Sequence, residues 1–144
     1  MKTEKIFSSE MNRVLEKAEE LARMFKTHYI ASEHIVYAML STNCLAGKVL
    51  KSCGLTSHAY SQYFMRTLDR NAEINGLTPK TKLLIEEAKQ IASDFDGGDA
   101  DTGSEHLLLA IVSSKDCLAT QILESMGVDI SRLETALELV LGIQ

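Results

Sequence analysis

Two acid–imidazole pairs stand out in the 144-residue chain, Glu33-His34 and Glu105-His106, each introduced by a serine. A carboxylate beside an imidazole is material for acid–base catalysis or for metal ligation. Catalysis needs a nucleophile or electrophile beside the pair, and none is placed there. Metal binding needs further Cys or His at ligand spacing, which are also missing, so His34 and His106 are expected to make structural hydrogen bonds. Taken alone, each glutamate reads as a first-turn acid at an exposed helix start, favoured by the helix dipole by roughly 0.3–1 kcal/mol.

The elements that present these pairs come in duplicate. Ser32-Glu33-His34-Ile35-Val36-Tyr37-Ala38-Met39-Leu40-Ser41 is echoed by Ser104-Glu105-His106-Leu107-Leu108-Leu109-Ala110-Ile111-Val112-Ser113. The match continues through Cys44-Leu45-Ala46 and Cys117-Leu118-Ala119, then through Cys53-Gly54-Leu55 and Met126-Gly127-Val128. It also runs backwards, from Val14-Leu15, Ala18 and Ala22 to Leu84-Ile85, Ala88 and Ala92. Two copies are too few for a solenoid, so the chain reads as one domain (1–144) with repeats over about 7–72 and about 77–141.

Helical spacing of apolar residues recurs throughout, and no stretch alternates at the strand period for long. Ser8 or Ser9 caps a helix to about Lys26 that buries Val14, Leu15, Ala18, Leu21, Ala22 and Phe25. Ser32 caps the second. Asn43 or Cys44 starts a third that Gly54 closes, and Ser57 caps a fourth with Tyr60, Phe64, Met65 and Leu68. Thr78-Pro79 opens a fifth with Leu83, Leu84, Ala88, Ile91 and Ala92. Ser104, Asp116 and Ser131 are expected to cap the sixth, seventh and eighth, the last carrying Leu133, Leu137, Val140 and Leu141. The fold class is all-α, eight helices in two pseudo-symmetric sets of four.

Bulk properties narrow the function. A net charge of −5 and a pI near 5.4 argue against a nucleic-acid partner. The longest apolar run, Leu107 to Val112, has six residues, far short of a membrane span, and the N-terminus lacks a signal-peptide core. Three cysteines without C-x-x-C point to free thiols in a reducing compartment, so a cytoplasmic location is expected, with Cys44 and Cys117 buried. Asp94, Asp96, Asp99, Asp101 and Glu105 hint at a calcium loop. Gly98, however, takes the fifth position where a ligand is wanted, and Asp99 the sixth where glycine turns the chain. A solvated acidic loop is expected, with no metal and no cofactor.

Two copies of [ST]-E-H before an apolar run, each preceded by a Ser/Thr-capped amphipathic helix, resemble the double-repeat Clp N-terminal domain. That domain fronts the ring-forming AAA+ unfoldases ClpA, ClpB and ClpC. Thr78-Pro79-Lys80-Thr81-Lys82 and Gly103-Ser104-Glu105-His106-Leu107-Leu108-Leu109-Ala110 look most like the ClpC branch, and the resemblance covers about Phe7 to Leu141. It implies a non-catalytic, monomeric domain that binds adaptor proteins and substrate proteins. Its AAA+ modules, and through them a ClpP-type peptidase, would lie in a longer parent. A free-standing accessory protein regulating a Clp complex is the alternative. No G-x-x-x-x-G-K-[ST] occurs in the chain, so no ATPase is expected in it.

The resemblance also assigns residues. In ClpC-type domains the glutamates of the two motifs bind the guanidinium of phosphoarginine, a degradation mark, which implies that role for Glu33 and Glu105. Carboxylates answer a guanidinium in fork geometry, while hydroxyls and helix N-termini answer a phosphate. Ser8, Ser32, Thr78 and Ser104 are the hydroxyl residues expected around the sites. Two departures stand out: Ala31 replaces the usual glycine in the first copy, and a longer acidic loop precedes the second. Asp99 and Asp101 would weaken phosphate binding there, so the first site is expected to be tighter.

Overall fold

The computed structural model describes residues 7–69, 72–96 and 101–142. The first repeat holds α1 (Ser9–Met24), a two-residue strand β1 (Tyr29–Ile30), α2 (Ser32–Ser41), α3 (Leu45–Ser52) and α4 (Ser57–Thr67). The second repeat holds β2 (Gly76–Leu77), α5 (Pro79–Asp96), α6 (Ser104–Val112), α7 (Leu118–Ser125) and α8 (Ile130–Leu141). The all-α, two-repeat architecture is as the sequence implies. The acidic loop expected around Gly98 and Asp99 includes residues 97–100, which lie outside the described residues.

Each repeat is built around its second helix. α2 and α6 are apolar on every side, as their sequences require, and both are buried over most of their length. α1 lies against α2, and α5 lies against α6 in the same way. The repeats then interlock: α2 and α4 meet α7, while α3 meets α6 and α8. A single core results, running from Met11 and Val14 through Ile35 and Met39 to Leu107, Ile111 and Leu133. At roughly 1.5–3 kcal/mol per large buried side chain, this core is the main stabilising term.

The halves fill equivalent space differently. In the first, Phe25, Tyr37, Tyr60 and Phe64 form a mostly edge-to-face cluster with ring centroids 5.1–6.3 Å apart. In the second, Leu133 and Leu137 take the places of Tyr60 and Phe64, and both are fully buried. Three residues expected inside are outside: Leu83 is 61% exposed, Met65 49% and Val140 44%. Leu84, Phe64 and Leu141 sit beside them in sequence and face inward, so one residue of each adjacent apolar pair is left over on the outer face.

Gly54 and Gly127 end α3 and α7 with φ of +91° and +87°. Their amides return to the carbonyls of Lys51 and Glu124, a left-handed closure that other residues adopt at a cost.

β1 and β2 pair in parallel, Tyr29 with Gly76 and Ile30 with Leu77. Phe7 and Thr102 form a matching bridge in the other half. These contacts are too short for strand periodicity to show in the sequence, yet they position the site. Thr78 N–H donates to Ile30 O at 3.1 Å, and Ser8 N–H donates to Thr102 O at 2.9 Å. The start of α5 is thereby held beside the start of α2, and the start of α1 beside the start of α6.

Candidate functional site

The capping pattern differs from the expected one, and the difference builds the site. α2 and α6 are capped at Ala31 and Gly103, both in extended conformation, not at the serines that follow. Neither cap residue has a side-chain oxygen. Instead, the third residue of each helix reaches back: Ala31 N–H donates to His34 Nδ1 at 3.0 Å and Gly103 N–H to His106 Nδ1 at 2.9 Å. The histidines therefore do the work of the glutamate in a capping box. Thr56, Cys117 and Asp129 likewise cap α4, α7 and α8 in place of Ser57, Asp116 and Ser131. Ser8 and Thr78 cap their own helices, accepting from Met11 N–H at 3.0 Å and Thr81 N–H at 3.1 Å.

Released from capping their own helices, Ser32 and Ser104 cap helices of the opposite repeat. Ser32 Oγ accepts from Ala119 N–H at the start of α7, and Ser104 Oγ accepts from Ala46 N–H at the start of α3. Each [ST]-E-H motif is thus wedged against a helix N-terminus from the other half. The expected cysteine burial also falls here. Cys44 and Cys117 stand at the N-cap positions of α3 and α7, their buried thiols directed at Met39 O and Ile111 O, and only the Cys44 sulfur also accepts a first-turn amide, that of Gly47.

Glu33 departs most from expectation. It is 3% exposed, not at an exposed helix start, and the Ser32 hydroxyl donates to its Oε1 at 3.4 Å. Burial raises its pKa above the ordinary glutamate value. Glu105 keeps 20% of its side chain exposed. The difference follows from Ala31. Glu105 folds its carboxylate over Gly103, where an added Cβ would stand only 2.5 Å from Oε1. Ala31 carries that Cβ in the first repeat and closes the same space to Glu33.

Beside Glu33 lies a cleft of about 340 Å³. Its wall combines Ser32 and Glu33 from α2, Thr78 just before α5, Lys80 in its first turn, and Asp116 before α7. Lys80 Nζ and Asp116 Oδ1 pair at 2.9 Å across the rim. That contact raises the lysine pKa and lowers that of the aspartate. The cleft therefore offers an inner carboxyl, hydroxyls and a rim ammonium paired with Asp116, with Asp69 also on the lining. Such a set suits a ligand carrying both an anionic group and N–H donors.

Of the six expected site residues, Ser32, Glu33 and Thr78 line this cleft, although Thr78 belongs to the other repeat. Ser8, Ser104 and Glu105 gather at the pseudo-equivalent place, joined by the Ser8–Thr102 hydrogen bond. Lys80 and Asp116 were not singled out as site residues. Aligning Ser8 with Thr78 would have exposed Lys80 as the counterpart of Glu10, a charge reversal next to the motif.

His34 serves the frame. It is fully buried, with Nδ1 accepting from Ala31 and Nε2 donating to Thr27 Oγ1 at 3.1 Å; Thr27 in turn donates to Tyr29 O. Burial lowers its pKa to about 4. Among the described residues no group of three or more His, Cys, Asp or Glu is placed to hold a metal ion. No described helix is long and apolar enough to cross a membrane.

The sequence matches the family described as Clp repeat (R) N-terminal domain over residues 6–95 and again over 76–144. The chain belongs to that family. It is 28% identical over 148 residues to the chloroplastic chaperone protein ClpC2 of Oryza sativa subsp. japonica, a match covering 94% of this chain and 15% of the relative. The fold is that of the N-terminal domain of ClpD from Arabidopsis thaliana, with a TM-score of 0.79 at 16% identity, covering 94% of this chain and 97% of that one. It also resembles a ClpV N-domain solved in complex with a VipB peptide, with a TM-score of 0.69 at 20% identity, covering 99% and 97%.

Proposed function

We propose that this chain is the substrate- and adaptor-binding N-terminal domain of a ClpC-like AAA+ unfoldase, and that it takes phosphoarginine in the Glu33–Lys80 cleft. The supporting observation is the pairing of an inner carboxyl with a rim ammonium on one cavity wall. A phosphorylated guanidinium carries N–H donors at one end and a dianion at the other. Glu33 would receive the donors, the arriving positive charge offsetting the burial that raises its pKa. Lys80 would leave Asp116 for the phosphate, a charge-assisted exchange in which the rim ion pair costs little to open because both partners are exposed.

The wider role rests on family membership and on the peptide bound to the related ClpV domain. The AAA+ modules, and a ClpP-type peptidase acting with them, belong to this proposal, as does a cytoplasmic location.

Calorimetric titration with a peptide bearing one phosphoarginine, and with the same peptide bearing arginine, tests the reading. Only the modified peptide should bind. Glu33→Ala should weaken binding by about 1.5–3 kcal/mol, the range for a lost hydrogen bond to a charged group. Equal heats for the wild type and a Glu33→Ala, Glu105→Ala double variant would end it and leave peptide or adaptor docking as the function.

A further inference from the structure

The two motif sites share one plan with the charge reversed, and the reversal decides how many ligands the domain can take. At the start of α3 every first-turn amide already has an acceptor. Leu45 N–H donates to Glu10 Oε1 at 3.1 Å, Ala46 N–H to Ser104 Oγ at 3.2 Å and Gly47 N–H to Cys44 Sγ at 3.4 Å. A carboxylate there supplies the negative charge that a helix N-terminus favours. Glu105 stands over neighbouring Gly103, so a second acid faces this end of the molecule. The nearby cation, Arg13, is directed at Asn43 O on the outer side.

At the start of α7 the arrangement is inverted. Ala119 N–H is taken by Ser32, but Cys117 makes no side-chain cap. Among the described residues no acceptor is in place for Leu118 N–H, the counterpart of Leu45. Where the first repeat has Glu10, the second has Lys80, and its ammonium lies on the cleft. One site therefore holds a carboxylate of the protein itself on its helix start, where the other has an open cleft with a cation, Lys80, whose own carboxylate partner, Asp116, sits on the exposed rim.

We infer that the domain is monovalent: Glu10 is a built-in occupant that closes the Glu105 site to anionic ligands, and Lys80 marks the Glu33 cleft as the one that accepts them. This rests on the phosphoarginine reading above. The pseudo-symmetric fold would otherwise offer two sites. Glu10 and Lys80 are thus the residues that set stoichiometry and site choice.

The test titrates the full chain with the singly phosphorylated arginine peptide, with calorimetry for stoichiometry and amide NMR for location. Wild type should bind one peptide, shifting the Leu118 amide and leaving that of Leu45 in place. Lys80→Ala should weaken this site by about tenfold or more, a lost charge-assisted contact. Glu10→Lys should raise the stoichiometry to two, with Leu45 now responding. Glu10→Ala, which removes the acid without adding a cation, provides the second variant should the lysine disturb the fold. Two sites in the wild type, or an unchanged stoichiometry in both folded Glu10 variants, would overturn the inference while leaving the phosphoarginine reading intact. Binding by no variant at all would remove both.

Discussion

Ser32 Oγ accepts the amide of Ala119 at 3.2 Å, joining residues 87 apart in the chain. Its counterpart joins Ser104 to Ala46, also at 3.2 Å. All four residues are buried. Replacing either serine by alanine leaves a buried helix-start amide without its acceptor. Ser32→Ala and Ser104→Ala should each cost about 1–2 kcal/mol. Urea unfolding measures this as a lower midpoint at unchanged slope. An unchanged midpoint in both variants would show that the reciprocal caps do not contribute.

A pH dependence follows from His34, whose folded-state pKa is about 4 against an ordinary 6.5. Between these values the unfolded chain binds the proton and the folded chain does not, so stability is full above pH 6.5 and falls as pH drops towards 4. At about 1.4 kcal/mol per pH unit, the loss is on the order of 3 kcal/mol. The comparison is with His34→Gln, whose stability profile over this window should be flatter by that amount. Parallel profiles would refute the assignment.

Glu33 has the opposite sign. Its raised folded-state pKa means that its contribution is complete below the ordinary glutamate value and is lost as pH rises through the folded value. Glu33→Gln keeps an acceptor for the Ser32 hydroxyl and removes the charge. The variant should melt higher than wild type at pH 7, with the gain vanishing at pH 4, while losing phosphoarginine affinity. A lower melting temperature at both pH values would contradict the burial argument.

Two glycines separate space from clash. Gly103 has an ordinary negative φ of −104°, and only the flexible end of Glu105 opposes a new Cβ. Gly103→Ala should therefore stabilise the fold by roughly 0.4–1 kcal/mol through the unfolded chain, with the Glu105 carboxylate displaced from its place over residue 103. Gly47 faces the backbone carbonyl of Met39 instead, where nothing can yield. Gly47→Ala should destabilise by several kcal/mol, on the scale of strong overpacking. Comparable melting temperatures for the two variants would disprove the distinction.

The helices were legible because their apolar periodicity is strong and duplicated, so Val14 and Leu84, or Ile35 and Leu107, announce the same packing twice. The caps were less so. Ser32, Ser57 and Ser104 look like caps, but the extended conformation falls one residue earlier, at Ala31, Thr56 and Gly103. The side chain of Ser32 then serves a helix that begins at Leu118, a partnership no local pattern encodes. Site composition was half visible. The motif glutamates announced themselves through repetition, whereas Lys80 belongs to the cleft only because β1 pairs with β2 and sets α5 beside α2. Burial of Glu33 depended on the single methyl of Ala31.

The crossed serine caps make each half of the fold depend on the other. Half of this chain, taken alone, would hold a serine hydroxyl with no helix start to receive and a helix start with no hydroxyl to receive it. Two such halves satisfy each other, as would two separate copies of one half. The arrangement is the self-complementary one of a two-fold symmetric dimer, here held within a single chain. The two halves differ within that shared plan: the first is aromatic inside and sets an acid, Glu10, on the start of α3, whereas the second is aliphatic inside and sets a cation, Lys80, on the cleft.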